Sequence, residues 1–365
     1  MHHASYIDTW IYFLIGFVFW GLTNRSTNKR SNEKYGQIAF LIIYLFAFFR
    51  YDFGNDYKSY WQMFIGNGQE RKLEPISGAI IDLVSFLQFP PLGFIIFSTI
   101  SLLCYRYVIK KYSSSQTLSW YFYFTFPPLF FQDCSTLRQA GAMGLFFVAF
   151  SFIQNRKYFV SFCLILLAIS FHYSSVIGLL ILLTSLFKKF SRKLNATLFI
   201  LSFFVGKILE RLVSILVIGS DNLFANKLEW YINADFSGNS TFQYVLYMFN
   251  LLNLLYWKEL NKMDPYAKLY ITLINIGFIL YNVFQFETQT ATRFMAFFVL
   301  FGTLLIPAYR DLLSMSLKRP ISHAFLCSIM FLLQMILVSL YINAYNSRIL
   351  DNPAYIPYQF WFNHI

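Results

Sequence analysis

Long apolar segments separated by short polar loops run along almost the whole chain. About 20 apolar residues are needed for a helix to cross a bilayer, and the segments of only about 15 residues are either tilted spans or wrongly divided. The pattern predicts spans at about residues 6–22, 36–49, 92–109, 117–131, 138–154, 157–171, 173–187, 196–218, 242–257, 267–285, 294–309 and 321–343. It therefore predicts an all-α polytopic membrane protein of about 12 transmembrane helices, forming a single transmembrane domain over residues 1–365.

Basic residues are concentrated in every second loop of this pattern. Those loops hold 19 of the 29 Lys and Arg residues, and such an excess marks cytoplasmic loops. Both termini are then periplasmic, as are loops at about 50–75 and 207–241 and the tail 344–365. Residues 74–89 are too short for a span and fit an interfacial or re-entrant helix.

Composition agrees with a membrane protein and removes other classes. Charged residues make up 13% of the chain, against about 25% in soluble proteins. The net charge of +12 lies in short loops, so it reports topology and gives no reason to expect a nucleic-acid partner. The four cysteines show no paired spacing, which predicts neither a disulfide framework nor a metal site.

Arginines at the ends of spans are the unusual residues of the outer face. Arg138 opens the fifth span and Arg293 a later one, while Arg50 ends the second. A cation at a helix N-terminus adds to the positive end of the helix dipole, which is unfavourable unless an anion lies there. Diphosphate fits both the helix end and the planar donors of arginine. We therefore expect a polyanion site built from Arg138, Arg293, Arg50 and Arg211.

Structural explanations compete with binding at two of these arginines. Arg50 can reach towards lipid headgroups, or a turn at Gly54 can bring Asp56 back to it as an ion pair. Glu210 is three residues from Lys207, the spacing of an ion pair on one helix face. That pairing would leave Arg211 as the freer cation.

Three residues on the outer face are candidates for acid–base chemistry. His172 lies in a turn between two apolar segments, where a polar side chain tends to mark function. A structural, hydrogen-bonded histidine is the competing interpretation. Asp56 and Glu287 are the other candidates by position. A neutral histidine suits a base near pH 7, whereas a carboxylate would need a raised pKa.

The order of these motifs resembles a known family. Arg50, Gly54, Asp56 and Tyr57 are followed by Glu74-Pro75, Arg138-Gln139, Phe171-His172-Tyr173-Ser174-Ser175 and Arg293. This arrangement, from about residue 40 to 310, resembles the EpsG-like branch of the Wzy polysaccharide polymerases, the O-antigen polymerases of bacterial inner membranes.

The resemblance implies a GT-C-like helical bundle with its active site facing the periplasm. Its reaction moves a glycan from undecaprenyl diphosphate to the non-reducing end of another lipid-linked repeat unit. It implies no cofactor, no metal and no nucleotide sugar. The partners implied are undecaprenyl-diphosphate-linked glycans, membrane lipid and a chain-length regulator protein.

The same resemblance distributes roles among the candidate residues. Arg138 and Arg293 would bind diphosphate with Arg50 in support, and His172 or Asp56 would lie near the acceptor. We expect further substrate contacts from short outer segments, namely from Asp52, Tyr57, Gln139, Tyr173 and Trp230. For the tryptophans, anchoring at the membrane interface is the competing explanation.

Three other functions fit parts of the pattern. An O-antigen ligase would be similar in architecture, but a large outer loop with a histidine is expected there. A membrane acyltransferase would present its histidine differently and bind its acyl donor on the inner side. A flippase for the lipid-linked unit should carry cations through both leaflets, whereas the middle of these spans is almost uncharged.

Overall fold

The protein is described by a computed structural model over residues 9–67, 73–217, 240–346, 355 and 358–363. Helices dominate, and two short strands pair as an antiparallel ladder. The helices are α1 (Trp10–Arg25), α2 (Lys29–Phe49), α3 (Tyr57–Phe64), α4 (Pro75–Leu87), α5 (Pro90–Tyr112), α6 (Gln116–Thr125), α7 (Phe130–Ser135), α8 (Leu137–Gln154), α9 (Tyr158–Phe171), α10 (Thr184–Phe187), α11 (Arg192–Val217), α12 (Ser240–Leu255), α13 (Trp257–Met263), α14 (Ala267–Val283), α15 (Thr288–Val299), α16 (Gly302–Ser316) and α17 (Arg319–Asn346). The strands are β1 (Arg50–Tyr51) and β2 (Gln359–Phe360), and 3-10 helices cover Tyr173–Leu183 and Trp361–Asn363.

The helices are those of a membrane protein. Among the described residues, α5, α8 and Ile321–Leu340 of α17 are each long and apolar enough to cross a bilayer, and α15 with α16 can form a fourth, bent span. The prediction of an all-helical membrane protein is confirmed at this level. The twelve-span count and the periplasmic termini stay predictions. Helix α4 has 13 residues, which is too short to cross a bilayer.

The chain divides into two compact units, described separately below. Unit 1 comprises Met1–Leu182 and Thr303–Ile365, and unit 2 comprises Leu183–Gly302. In unit 1, α8 packs against both α5 and α9, and α1 packs against α17 and α6. Helices α5 and α8 approach closely at Gly144, where a Cβ would lie 3.1 Å from the Ser101 backbone. Small residues allow such close contacts between membrane helices.

A tight turn and the C-terminal segment hold the loop between α2 and α3 in unit 1. Gly54 has a φ of +113° and lies against the Cys134 carbonyl, where a Cβ would come within 2.7 Å. Glycine is therefore required at this turn. Strand β2 pairs with β1, placing Phe360 opposite Arg50. The buried Tyr355 hydroxyl lies 2.5 Å from Ser135 Oγ, so loop and tail are fixed on the same surface.

Helix α14 is the centre of unit 2 and packs against α11, α12, α13 and α15. Neutral polar side chains line its contacts with α11 and α12. We call these residues the amide seam: Asn195, Ser202, Tyr247, Asn250, Thr272, Asn275 and Asn282. They recur at helical spacing on each helix, so they face one another along the bundle.

Hydrogen bonds connect the seam across three helices. Asn275 accepts from Asn250 at 2.9 Å and donates to the carbonyl and side-chain oxygens of Asn195 at 3.0 and 3.1 Å. Asn282 donates to Ser202 at 2.8 Å and accepts from Tyr247 at 2.5 Å. Such bonds stabilise helix association inside a bilayer.

Candidate functional site

One carboxylate in unit 1 joins three segments that are distant in sequence. Glu74 is the N-cap residue of α4, Arg138 is the second residue of α8, and His172 directly follows α9. Tyr60 of α3 completes the group. We call these four residues the Glu74 cluster. Glu74, Arg138 and His172 lie at helix ends, and Tyr60 lies in the short helix α3. Charged groups are less costly at helix ends than in the apolar middle of a span.

Glu74 uses both of its oxygens. Its Oε2 accepts from Arg138 Nη1 in an ion pair, and its Oε1 lies 2.9 Å from His172 Nδ1 and 3.2 Å from the Tyr173 backbone N–H. Because a carboxylate only accepts, Nδ1 of His172 carries the proton in this contact. The arrangement therefore fixes the orientation and the tautomer of the imidazole.

Tyr60 holds Arg138 from the opposite side. The tyrosine hydroxyl oxygen accepts from Arg138 Nε at 3.3 Å and from the Arg138 backbone N–H at 3.4 Å. Burial raises the pKa of Tyr60, although the charge of Arg138 acts to lower it, so the hydroxyl stays neutral. Arg138 is thereby clamped between a neutral phenol and a carboxylate.

Burial differs among the ionisable members of the cluster. The side chain of Glu74 is 4% exposed, whereas those of His172 and Arg138 are 15% and 20% exposed. Burial alone raises the pKa of Glu74, but the hydrogen bond from His172 and the charge of Arg138 outweigh it and lower that pKa to about 2. Glu74 is therefore an anion beneath two groups that reach the surface.

A second contact fixes the spacing of this cluster. Ser77 Oγ donates to the Phe171 carbonyl at 2.7 Å, which ties the first turn of α4 to the last residue of α9. Glu74 is three residues before Ser77, and His172 directly follows Phe171. Their geometry is therefore set by the backbone of both helices as well as by their own contact.

The structure thus brings Arg138 and His172, two predicted site residues, to the same carboxylate. Glu74 was not among the predicted site residues, although Glu74-Pro75 is part of the motif order that carries the resemblance. The signal that could have identified it is an acidic N-cap followed by proline ahead of an apolar helix. Tyr60 carried no comparable signal in the sequence.

Arg50 lies inside unit 1 and is only 2% exposed. Its Nη1 donates to Ala47 O at 3.2 Å and Ser98 Oγ at 3.1 Å, and it forms no ion pair with any residue that the structure describes. The interpretations of Arg50 as a headgroup contact and as a partner of Asp56 are therefore wrong. It lines a cavity of about 10 Å³ together with Asp133, which is room for about one water molecule.

The remaining unit 1 candidates lie in or next to the loop between α2 and α3. Asp52 adopts a left-handed backbone conformation and lies 3.9 Å from Lys58 Nζ. Tyr57 is buried and stacks on Phe94 at 4.3 Å, and Asp56 precedes α3 as its N-cap residue.

Gln139 and Tyr173 flank the cluster in sequence. Gln139 follows Arg138 and is 1% exposed, whereas the Tyr173 side chain is exposed. Tyr173 donates its backbone N–H to Glu74. The predicted substrate contacts of Gln139, Tyr173, Asp52 and Tyr57 stay predictions.

Two predicted residues belong to α15 in unit 2. Glu287 is the N-cap, and its oxygens accept from the backbone N–H groups of Gln289 at 3.1 Å and Thr290 at 2.8 Å. This contact is that of a helix cap. Arg293 is the sixth residue of this helix. Their predicted roles as base and diphosphate ligand stay predictions.

Helix α11 carries the last cationic candidate. The predicted ion pair between Lys207 and Glu210 is confirmed, with 2.8 Å between nitrogen and oxygen. Arg211 follows it on an exposed part of the helix. Trp230 lies outside the described residues, as does most of the predicted loop 207–241.

The sequence as a whole supports the same family as the motifs. The sequence profile of the EpsG family matches residues 33–360, a range that includes every member of the Glu74 cluster, all of unit 2 and most of unit 1. No curated protein and no solved structure matches the chain. The match extends over most of the chain, and the chain therefore belongs to the EpsG family.

Proposed function

We propose that this protein is a polysaccharide polymerase of the bacterial inner membrane that joins lipid-linked repeat units at the periplasmic face. In this reaction a growing glycan moves from undecaprenyl diphosphate to the non-reducing end of a second lipid-linked unit. The observation that carries the proposal is the contact of Arg138 and His172 with one carboxylate, in a chain of the EpsG family.

Arg138 is the proposed ligand of the donor diphosphate. It lies at the N-terminus of α8, where helix dipole and backbone N–H groups favour an anion. Cleavage of the bond between sugar and diphosphate develops negative charge on the leaving oxygen, and a fixed cation stabilises that charge. Tyr60 and Glu74 hold the guanidinium in place, so little reorganisation is needed during the reaction.

His172 is the proposed base for the acceptor hydroxyl. With Nδ1 bound to Glu74, the opposite nitrogen, Nε2, is the one that exchanges a proton with a substrate. Asp56 and Glu287 remain alternative bases, and Arg293 and Arg211 remain candidates for contacts with a lipid-linked substrate. The donor already carries its leaving group, so the proposed reaction requires no nucleotide sugar. Metal independence is part of the proposal, with arginine stabilising the charge of the leaving group.

The remaining roles complete the proposal. Gln139, Asp52, Tyr57, Tyr173 and Trp230 are proposed to contact the sugars. The proposed partners are the two lipid-linked glycans, membrane lipid and a chain-length regulator protein, and nucleic acid is not among them. The proposed topology is an all-helical GT-C-like bundle with periplasmic termini.

Deletion of the gene tests the reaction. We expect surface polysaccharide to lose its ladder on a gel while a product with a single repeat unit remains. Loss of every repeat-bearing product would instead indicate a flippase or a ligase.

Complementation of the deletion strain tests the site. We expect Arg138→Ala and Arg293→Ala to fail to restore the ladder at normal protein abundance, and Arg156→Ala, at an exposed arginine, to restore it. Wild-type ladders from both site variants would contradict the proposed diphosphate site.

A further inference from the structure

We propose that Glu74 is the positioning residue that couples the two halves of the reaction, an inference that rests on the proposed function. Glu74 holds the base for the acceptor through Oε1 and the cation for the donor through Oε2. One side chain thereby sets the distance between the group that receives a proton and the group that stabilises the leaving diphosphate.

The burial of Glu74 fits this role better than direct contact with substrate. Its side chain is 4% exposed, and its partners His172 and Arg138 are the more exposed groups. A carboxylate at the surface would also repel the diphosphate, because like charges at short range are unfavourable. Beneath the two partners, its charge offsets that of Arg138, and its two oxygens hold both side chains in place.

The proposed step conserves atoms and charge. The acceptor hydroxyl oxygen forms a bond to the anomeric carbon of the donor sugar, while the bond from that carbon to the diphosphate oxygen breaks. The bonding electron pair leaves with undecaprenyl diphosphate, beside Arg138. The hydroxyl proton passes to Nε2 of His172, and the resulting imidazolium is stabilised by the Glu74 carboxylate through Nδ1–H.

The ionisable groups around this step come from each element that contacts the cluster. Helix α3 contributes Tyr60, whose hydroxyl faces Arg138, and Asp56 acts on Tyr60 from the start of that helix. Helix α8 contributes Arg138, and the segment after α9 contributes His172. Loss of the Glu74 charge should therefore act mainly on the imidazolium and on the arginine.

Two substitutions separate this role from a structural one. Glu74→Gln keeps the shape of the side chain and removes its charge, while Glu74→Asp keeps the charge on a shorter side chain. Asp82→Asn removes an exposed carboxylate from the same helix α4 and serves as the matched control. The measurement is the initial rate of undecaprenyl diphosphate release by full-length protein in lipid nanodiscs, with lipid-linked repeat units, between pH 5 and 9.

We expect Glu74→Gln to lower kcat at least about 10-fold. We also expect the acid limb of its pH–rate profile to move to lower pH, because the imidazolium loses its counter-charge. Glu74→Asp should retain the position of that limb with a smaller loss of kcat, and Asp82→Asn should behave as wild type. If Glu74→Gln does not fold, the pH–rate profile of Glu74→Asp and its KM for the donor test the positioning role instead.

Each result has a distinct meaning. An unmoved acid limb in a folded and active Glu74→Gln protein would overturn the positioning role and leave the polymerase proposal standing. If only Glu74→Asp folds, an acid limb displaced to lower pH would overturn that role. Absence of undecaprenyl diphosphate release by the wild type and by Asp82→Asn would overturn the proposed function itself.

Discussion

The Glu74 cluster of unit 1 and the amide seam of unit 2 place polar residues inside a membrane protein in opposite ways. The cluster gathers charged groups at helix ends around one carboxylate. The seam distributes neutral groups along the contacts of α11, α12 and α14, as in the three bonds of Asn275 to Asn195 and Asn250.

The contrast separates chemistry from helix packing. A charge in a bilayer is costly unless it is paired, so it is retained mainly where function requires it. An amide costs less to bury and contributes about 1 kcal/mol or less per bond to the association of membrane helices. Changes in the cluster should therefore alter turnover, and changes in the seam should alter the folded fraction.

Reversal of one charge is the strongest challenge to this comparison. Arg138→Glu would place a second carboxylate against Glu74, which is 4% exposed, and loss of such a buried pair destabilises a protein by about 3–5 kcal/mol. We expect little folded protein by size-exclusion chromatography in detergent. The double variant Arg138→Glu/Glu74→Arg should recover part of the folded fraction but not the reaction. Recovery of both would show that charge balance alone is needed here.

Acid should weaken unit 1 through Glu74. Its carboxyl pKa is lowered from 4.5 to about 2, so the contribution of this shift to stability is complete above about pH 4.5 and is lost as the pH falls towards 2. The shift corresponds to about 3 kcal/mol. Between pH 5 and 3, the free energy of unfolding should fall more steeply with decreasing pH in the wild type than in Glu74→Gln. Equal slopes for the two proteins would contradict the ion pair.

The seam should respond with a smaller loss of stability. Asn275→Leu removes three hydrogen bonds, and we expect a loss of about 1–2 kcal/mol, with unchanged turnover per folded molecule. Leu251→Ala, at an exposed position on α12 outside the seam, is the control for a substitution that removes none of these hydrogen bonds. Reduced turnover at a full folded fraction would assign chemistry to the seam.

A surface ion pair should have the least effect. Lys207 and Glu210 are 77% and 42% exposed, and such pairs contribute little. We expect Lys207→Ala to change the free energy of unfolding by less than about 0.5 kcal/mol, as measured by denaturant titration in detergent. A larger loss would show that this part of α11 is buried by a partner.

Local sequence rules predicted some of these features and could not predict others. The helical class, Arg138 at a helix N-terminus and the Lys207–Glu210 pair follow from patterns within one segment. The contact of Glu74 with His172 joins residues 98 positions apart, and no rule of local spacing carries that information.

Arg50 shows the same limit of local sequence rules. Its position at the end of α2 suggested the membrane surface, but its side chain is buried against Ser98 of α5 and Cys134 of α7. These contacts join residues 48 and 84 positions apart in the chain. The local pattern of apolar and polar residues therefore identified Arg50 as unusual but could not predict which side chains surround it.

The turnover of folded protein tests the central claim most directly. Purified wild type, Arg138→Ala and Asn275→Ala, in the same nanodiscs, would be compared by the rate of undecaprenyl diphosphate release per folded molecule. We predict a rate about 10²–10³-fold lower for Arg138→Ala and an unchanged rate for Asn275→Ala. A wild-type rate for Arg138→Ala, or an equal loss in both variants, would contradict the assignment of the chemistry to the Glu74 cluster.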